Sequence, residues 1–126
     1  MIRFSLDEIK KSKASSELNF INRGIERESL RVDSSGKISQ TPHPSGLGSA
    51  LTNPYITTDF SESLLELVTP TFNSASECLK FLSDLHIFVN QNLEGESLWP
   101  LSMPCFIYSE DDIPIGNYGT SNQGMM

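Results

Sequence analysis

A nearly apolar run followed by a well-marked helix start is the feature that most constrains the fold of this chain. The run Leu64–Thr69 is interrupted by one charge and ends at a proline, which is typical of a strand covered on both faces. Ser74 and Glu77 then have the spacing of a capping box, and an apolar stripe follows at helical spacing. The stripe consists of Cys78, Leu82, Leu85, Val89 and Leu93. The sequence therefore predicts a buried strand and then a helix over residues 74–93.

Further elements are predicted upstream of this strand. Ser5 and Glu8 have the spacing of a capping box and predict a short helix near the start of the chain. Residues 24–32 alternate, and the turn sequence "DSSG" leads to a second short strand around Lys37–Ser39, which predicts a β-hairpin. Residues 40–55 contain three prolines and two glycines and are read as a long loop. The stretch after the main helix is predicted to be irregular as well.

Two glutamates lie on the apolar face of the first strand. Residues i and i+2 of a strand face the same way, so Glu26 and Glu28 share a face with Leu30 and Val32. Buried carboxylates are costly unless they are paired with cations, and adjacent carboxylates raise each other's pKa. A bound divalent cation would resolve both problems.

A second group of acids lies along the apolar strand. Glu66 interrupts "LLELV", so its neighbours on both faces are apolar, and Asp59 and Glu62 lie at the entry to the same strand. If the two acid-bearing segments pair in one sheet, their carboxylates come together. Carboxylates on rigid strands suit Mg²⁺, which is usually held by one or two of them together with water and substrate phosphates.

Two other interpretations of the acids stay open at this point. The glutamates of the first strand could lie near its end, in water, with lysines from a neighbouring strand. Alternatively, the acids could form buried ion pairs with Arg23 or Arg27. His43 and His86 are far apart and have no zinc-like spacing around them, so no zinc site is predicted.

Charge and composition exclude several kinds of partner. The chain has 9 Lys and Arg residues against 16 Asp and Glu, a formal net charge of −7, and such a surface repels nucleic acid and anionic lipid. No signal peptide or bilayer-spanning run is recognised, so a cytoplasmic protein is expected. The two cysteines are too few for a disulfide framework. Cys78 falls in the helix stripe, and the redox state of Cys105 stays open.

Five sequence blocks occur in an order that is specific to one bacterial enzyme family. They are "RGIERESLRV", "LGSALTNPYITTDFSESLLELVTP", "DLH", "LWPLSMPC" and "YGTSNQG". In this order they closely resemble the N-terminal part of glutamate–cysteine ligase, also called γ-glutamylcysteine synthetase. The resemblance runs from about Arg23 to the end of the chain. Several long blocks in register are far more specific than any single short motif.

The resemblance implies an α+β fold of the glutamine-synthetase type, an antiparallel sheet with helices packed behind it, of which this chain would hold an incomplete piece. It also implies the reaction. ATP phosphorylates the γ-carboxylate of L-glutamate, and the amine of L-cysteine attacks the acyl phosphate to give γ-glutamylcysteine, the first step of glutathione biosynthesis. Mg²⁺ or Mn²⁺ would bind between the strand carboxylates and the ATP phosphates.

The same resemblance implies roles for individual residues. The residues implied as metal ligands, or as residues that hold ligands in place, are Glu26, Glu28, Asp59 and Glu66. Phe60 is implied to wall the site of the substrate cysteine, and Glu62 is assigned to the surroundings of the site or to the surface. No catalytic acid or base is identified in the chain.

Enzymes of this family are much longer, so residues 1–126 are expected to be the N-terminal portion of a catalytic domain. The remaining strands, metal ligands and basic residues would lie beyond Met126. The chain alone is therefore expected to be inactive, and an unfinished sheet edge offers a route to self-association. The alternative is a non-catalytic truncated fragment or small α+β module that carries a simple divalent-cation site.

Overall fold

The structure, a computed structural model, describes residues 5–12, 14–17 and 20–117. It is an α+β arrangement in which a four-stranded antiparallel sheet packs against a long helix. The α-helices and strands are α1 (Leu6–Lys11), α2 (Ala14–Glu17), β1 (Glu26–Val32), β2 (Ile56–Asp59), β3 (Ser61–Val68), α3 (Ala75–Asn92) and β4 (Ser97–Leu98). Two short 3₁₀ helices, Ser45–Leu47 and Glu110–Asp112, lie in the connecting segments. The strand order across the sheet is β2-β3-β1-β4. The predicted fold class, α+β with an antiparallel sheet, is confirmed.

Helix α3 closes one face of the sheet and confirms the predicted helix at 74–93. The Ser74 hydroxyl caps it by accepting a hydrogen bond from the Glu77 N–H at 3.4 Å, which satisfies one of the free amides of the first turn. The core between α3 and the sheet, to which Leu47 of the segment before β2 also contributes, consists of Leu47, Ile56, Leu65, Leu67, Leu82 and Val89. Each fully buried side chain of this kind contributes about 1.5–3 kcal/mol.

The segment predicted as one strand, entered through Asp59 and Glu62, consists of two strands. β2 ends at Asp59, and the chain reverses at Phe60, whose φ of 49° lies in the left-handed region. β3 then starts at Ser61 and runs antiparallel to β2, with a register shift between Thr58 and Asp59. The prediction of a single strand is therefore wrong. The turn could not be recognised in the sequence, because no glycine, asparagine or proline occurs there.

β3 is covered on one face and not on both. Leu65 and Leu67 are completely buried and pack with α3, whereas Leu64, Glu66 and Val68 on the other face are only half-buried. The predicted burial on both faces is therefore wrong. Because "LLELV" has leucines at both odd and even positions, the sequence suggests that both faces of the strand are buried. Within the described residues, however, the long helix α3 lies on one side of the sheet only.

The predicted hairpin after β1 is present in reduced form. The Asp33 carboxylate holds the turn by accepting a hydrogen bond from the Lys37 N–H at 3.1 Å. Instead of the predicted strand, the returning chain makes a single bridge to β1, between Val32 and Ile38, and a parallel bridge between Lys37 and Phe106. Residues 26–30 of β1 already pair with β3, so the returning segment finds little free edge to occupy.

A second apolar cluster lies on the side of the sheet that faces away from α3. Its members are Val32, Ile38 and Cys105, with half-buried Leu30, Trp99, Ile107 and Ile113 around them. The chain after β4, residues 99–113, therefore folds over the far end of β1. Cys78 and Cys105 are both free and buried. Burial raises the pKa of the Cys105 thiol, which keeps it in the unreactive neutral form.

The short helix α1 begins at the predicted capping box. The Ser5 hydroxyl accepts a hydrogen bond from the Glu8 N–H at 3.2 Å, and the Glu8 carboxylate accepts one from the Ser5 N–H at 2.8 Å. Across residues 5–12, 14–17 and 20–117, no helix is both long and apolar enough to span a bilayer.

Candidate metal and substrate site

The register of the sheet brings the predicted acids together. Glu28 of β1 pairs directly with Glu66 of β3, so that their Cβ atoms are about 5 Å apart. Glu26 precedes Glu28 by two residues and faces the same way. Asp59 lies at the end of β2, on the other side of β3. We call the side of the sheet that carries these four carboxylates the acid face.

The carboxylates of the acid face influence one another electrostatically. Partial burial raises the pKa of Glu66, and the charges of Glu26, Asp59 and Glu28 raise it further. Those three acids are themselves exposed to solvent. Glu66 is therefore the focus of the cluster, because it is half-buried and like charges approach it from β1 and from β2.

Protein cations do not neutralise the acid face in the described part of the chain. The ion pairs found there are Arg31–Glu96, Lys37–Asp112 and Lys80–Asp84, and none of them includes an acid of the face. Arg23 instead donates to the Ile21 carbonyl oxygen at 2.9 Å. The interpretations that rely on Arg23, Arg27 or a neighbouring lysine therefore find no support, although three of the four acids do lie in water.

The acid face offers ligands of the type that Mg²⁺ and Mn²⁺ accept. Carboxylate oxygens are hard donors, and here they are fixed on adjacent strands. Among the described residues, no group of three or more His, Cys, Asp or Glu side chains converges so as to hold a metal ion by itself. The face therefore fits an ion that takes one or two carboxylates and completes its shell with water and substrate phosphates, as Mg²⁺ usually does.

An apolar groove of about 480 Å³ adjoins the acid face at Glu28. Leu30 and Leu64, which are paired across β1 and β3, line it on the sheet side. Its other wall comes from the chain after β4, where the Trp99 indole N–H donates to the Met103 carbonyl oxygen at 2.7 Å. The sequence does not predict this groove, because the stretch after β4 has no periodic pattern. Its volume is that of a small-molecule site.

Phe60 lies where β2 turns into β3, next to Asp59. Its side chain is 68% exposed, and its left-handed backbone is strained by about 1–2 kcal/mol. The Gly116 N–H donates to the Phe60 carbonyl oxygen at 2.7 Å and holds the turn in place. An exposed aromatic ring on a fixed turn is available for contact with a ligand at the acid face.

A buried ion pair behind the acid face is not predicted by the sequence. Arg31 of β1 is completely buried, and its guanidinium donates to the Glu96 carboxylate and to the Thr41 hydroxyl, both at 2.7 Å. It also donates to the carbonyl oxygens of Thr41 and Glu62, at 2.7 and 3.0 Å. The sequence contains one indication of this ion pair. Strand alternation places Arg31 on the face of β1 that α3 covers, and a cation buried there needs an acidic partner.

Replacing Glu66 by glutamine is expected to stabilise the metal-free chain. A raised pKa means that the folded chain holds the proton more tightly than the unfolded chain, so stability falls as pH rises above the ordinary value of 4.5. Glu66→Gln removes this repulsion and should raise the free energy of unfolding at neutral pH by roughly 0.5 kcal/mol. Urea denaturation at low salt checks this, with Glu94→Gln at an exposed position as the control. A less stable Glu66→Gln chain would reveal a cationic partner for the acid face.

The sequence matches a known family over almost its whole length. The sequence model of the glutamate–cysteine ligase family matches residues 6–126. The glutamate–cysteine ligase of Edwardsiella ictaluri is 59% identical over 107 residues, which are 85% of this chain and 21% of that protein. The glutamate–cysteine ligase of Pseudoalteromonas translucida is 52% identical over 122 residues, 97% of this chain and 23% of that protein.

Solved structures share the fold. A crystal structure of glutamate–cysteine ligase from Francisella tularensis in complex with AMP has a TM-score of 0.76 at 42% identity, covering 80% of this chain and 20% of that one. A bifunctional glutathione synthetase from Pasteurella multocida has a TM-score of 0.71 at 39% identity, covering 79% and 14%. The chain belongs to the glutamate–cysteine ligase family. It spans about a fifth of the length of the curated relatives that it matches.

Proposed function

We propose that this chain is part of an ATP-dependent ligase that joins the γ-carboxylate of L-glutamate to the amine of L-cysteine. Residues 1–126 would be the N-terminal portion of its catalytic domain. The observation that carries the proposal is the acid face, where Glu28 and Glu66 lie opposite each other and form no ion pair within the described residues. The AMP bound in the Francisella tularensis relative supports a nucleotide as co-substrate.

In this proposal the acid face holds Mg²⁺ or Mn²⁺. The residues that would bind a metal ion, or would hold its ligands in place, are Glu26, Glu28, Asp59 and Glu66, and one ion would take one or two of these carboxylates. A divalent ion bound there would offset the negative charge of the ATP phosphates during phosphoryl transfer. The protein itself contributes by positioning its ligands, because β1 and β3 fix Glu28 and Glu66 at adjacent points of a rigid sheet. Phe60, on the turn beside Asp59, would wall the site of the substrate cysteine.

The proposed reaction has two steps. A γ-carboxylate oxygen of glutamate attacks the terminal phosphorus of ATP, and ADP leaves. The cysteine nitrogen then attacks the carbonyl carbon of the γ-glutamyl phosphate and loses a proton to solvent, and inorganic phosphate leaves as the bond from the carbonyl carbon to the phosphate oxygen breaks. Every species that carries phosphate is an anion, so a chain with a net charge of −7 binds them most readily through cations.

The 126-residue chain alone is expected to release no more phosphate from Mg-ATP with cysteine than without it. It spans about a fifth of the length of its relatives, and the cations that would contact phosphate are expected elsewhere in the complete enzyme. A phosphate-release assay with glutamate, with and without cysteine, checks this. Cysteine-dependent release would show that a working site assembles from this chain, and a steep dependence on protein concentration would attribute it to self-association.

A full-length chimera tests the proposed function itself. The matching N-terminal segment of the Edwardsiella ictaluri protein would be replaced by this chain, since the two are 59% identical over 107 residues. The chimera is expected to release phosphate from Mg-ATP in a cysteine-dependent manner at a rate comparable with that of the parent. A folded chimera without this activity would contradict the proposal. Mn²⁺ binding that is indifferent to ATP would favour a simple cation-binding module.

A further inference from the structure

Glu62 is buried close to the acid face, and its carboxylate accepts hydrogen bonds from two backbone amides. Only 8% of its surface is exposed. Its Oε1 accepts a hydrogen bond from the His43 N–H at 2.8 Å, and its Oε2 accepts one from the Asn117 N–H at 2.5 Å. None of the ion pairs in the described part of the chain includes Glu62. A buried carboxylate that accepts one backbone hydrogen bond on each oxygen holds in place the two segments that carry those amides.

The main chain of Glu62 is anchored as well. Its N–H donates to the Pro114 carbonyl oxygen at 2.8 Å, and its carbonyl oxygen accepts from the Arg31 guanidinium at 3.0 Å. Residues 114–117 thereby lie along the start of β3. Glu62 thus links the loop 40–55, through His43, with the segment 114–117 and with β1.

The segment 114–117 in turn clamps the turn next to Asp59. The Gly116 N–H donates to the Phe60 carbonyl oxygen at 2.7 Å, and Phe60 has a φ of 49°. A non-glycine residue stays in this conformation only where the surrounding structure holds it. Asp59 immediately precedes Phe60, and its charge is one of those felt by Glu66. The placement of Asp59 on the acid face therefore depends on the clamp.

We infer that Glu62 is a positioning residue for the proposed metal site, because it holds the Phe60 turn and thereby sets the position of Asp59 on the acid face. The inference rests on the proposed function, since it requires that the acid face bind a divalent cation. It gives Glu62 a role distinct from that of a metal ligand or a substrate contact. The buried hydrogen bonds also correct the assignment of Glu62 to the surface, one of the two places that the sequence leaves open.

The affinity of the 126-residue chain for Mn²⁺, measured by water-proton relaxation, tests this inference. Glu62→Gln keeps the size of the side chain but turns an NH₂ group toward one of the two amides, so one of the hydrogen bonds is lost. We expect the Kd for Mn²⁺ to rise about tenfold. Glu94→Gln removes the same charge at an exposed position and should leave the Kd unchanged.

A double-mutant cycle with Asp59→Asn shows whether Glu62 acts through Asp59. If it does, the double variant binds Mn²⁺ no more weakly than Asp59→Asn alone, whereas independent effects multiply. Multiplied effects would overturn the inference, and so would a wild-type Kd in Glu62→Gln. If the wild-type chain binds no Mn²⁺ at all, the inference is overturned, whereas the proposed function is judged separately by the activity of the full-length chimera.

A measurement without substitution covers the case in which Glu62→Gln does not fold. Coupling between two sites is reciprocal, so a clamp that supports metal binding must itself be stabilised by the metal. Saturating Mg²⁺ is expected to slow hydrogen exchange of the Gly116 and Asn117 amides about fivefold or more. Amides of α1 serve as the control. Unchanged exchange at Gly116 and Asn117 would overturn the inference.

Discussion

Glu28→Gln is expected to lower cysteine-dependent phosphate release by the full-length chimera roughly a hundredfold or more. Glu28 lies at the centre of the acid face, opposite Glu66 and beside the apolar groove. Glutamine keeps the size of the side chain but removes the charge that attracts a divalent ion. Metal ions contribute several kcal/mol to phosphoryl transfer, and a loss of about 3 kcal/mol corresponds to the stated fall in rate.

Two controls make the Glu28→Gln result specific. Glu94→Gln removes an exposed charge far along the chain and should leave the rate within about twofold of the parent, as expected of surface substitutions. Raising the Mn²⁺ concentration should restore part of the Glu28→Gln activity, because the remaining carboxylates still bind the ion weakly. An unchanged rate in a folded Glu28→Gln chimera would remove Glu28 from the site.

Arg31→Ala is expected to lower the free energy of unfolding of the chain by about 3–5 kcal/mol. The guanidinium is completely buried and donates to the Glu96 carboxylate, to both oxygens of Thr41 and to the Glu62 carbonyl oxygen. Its removal leaves the Glu96 side chain, 9% exposed, without a cation and opens a cavity. Small domains are stable by only about 5–15 kcal/mol, so this loss is a large share of the total.

The effect of Arg31→Ala depends on pH. Burial by itself would raise the pKa of Glu96, but hydrogen bonds from Ser39 and Thr41 and the charge of Arg31 lower it below the ordinary value of 4.5. The pair therefore contributes its full stability above that value, and the contribution is lost as pH falls through the pKa of the folded state. Wild type and variant should differ most at neutral pH and converge in acid.

Lys80→Ala is the matched control for Arg31→Ala. It breaks the ion pair between Lys80 and Asp84, whose side chains are 74% and 57% exposed, and should cost about 0.5 kcal/mol. Urea denaturation of both variants at neutral pH gives the comparison. A loss below about 1 kcal/mol for Arg31→Ala, or an equal loss for the two variants, would contradict the structural role given to the buried pair.

Elements that depend on local pattern could be predicted from the sequence. Helix α3 follows from the Ser74 cap and a stripe at helical spacing, and neither depends on the rest of the chain. The common face of Glu26 and Glu28 follows from strand parity alone. The sequence supports only the pairing of the two acid-bearing segments. The register of β1 on β3, which places Glu28 opposite Glu66, is defined by the structure.

Features that depend on distant contacts could not be predicted. Glu62 is anchored by amides 19 and 55 positions away, and Glu96 lies 65 positions from Arg31. No local pattern encodes such distances. The turn at Phe60 is held by the segment 114–117 and not by turn residues, so the sequence reads as one strand where the structure has two. The single-sided cover of β3 likewise depends on where α3 docks.

Titration of the isotopically labelled chain with Mn²⁺ tests most directly whether the acid face binds a divalent cation. Paramagnetic broadening should begin at the amides of Glu28 and Glu66 and their neighbours on β1 and β3, and excess Mg²⁺ should reverse it. The turn Glu110–Asp112 is an internal control, because it carries three consecutive acids that do not lie on the sheet. Broadening that begins at that turn, or that never reaches β1 and β3, would contradict the proposed role of the acid face.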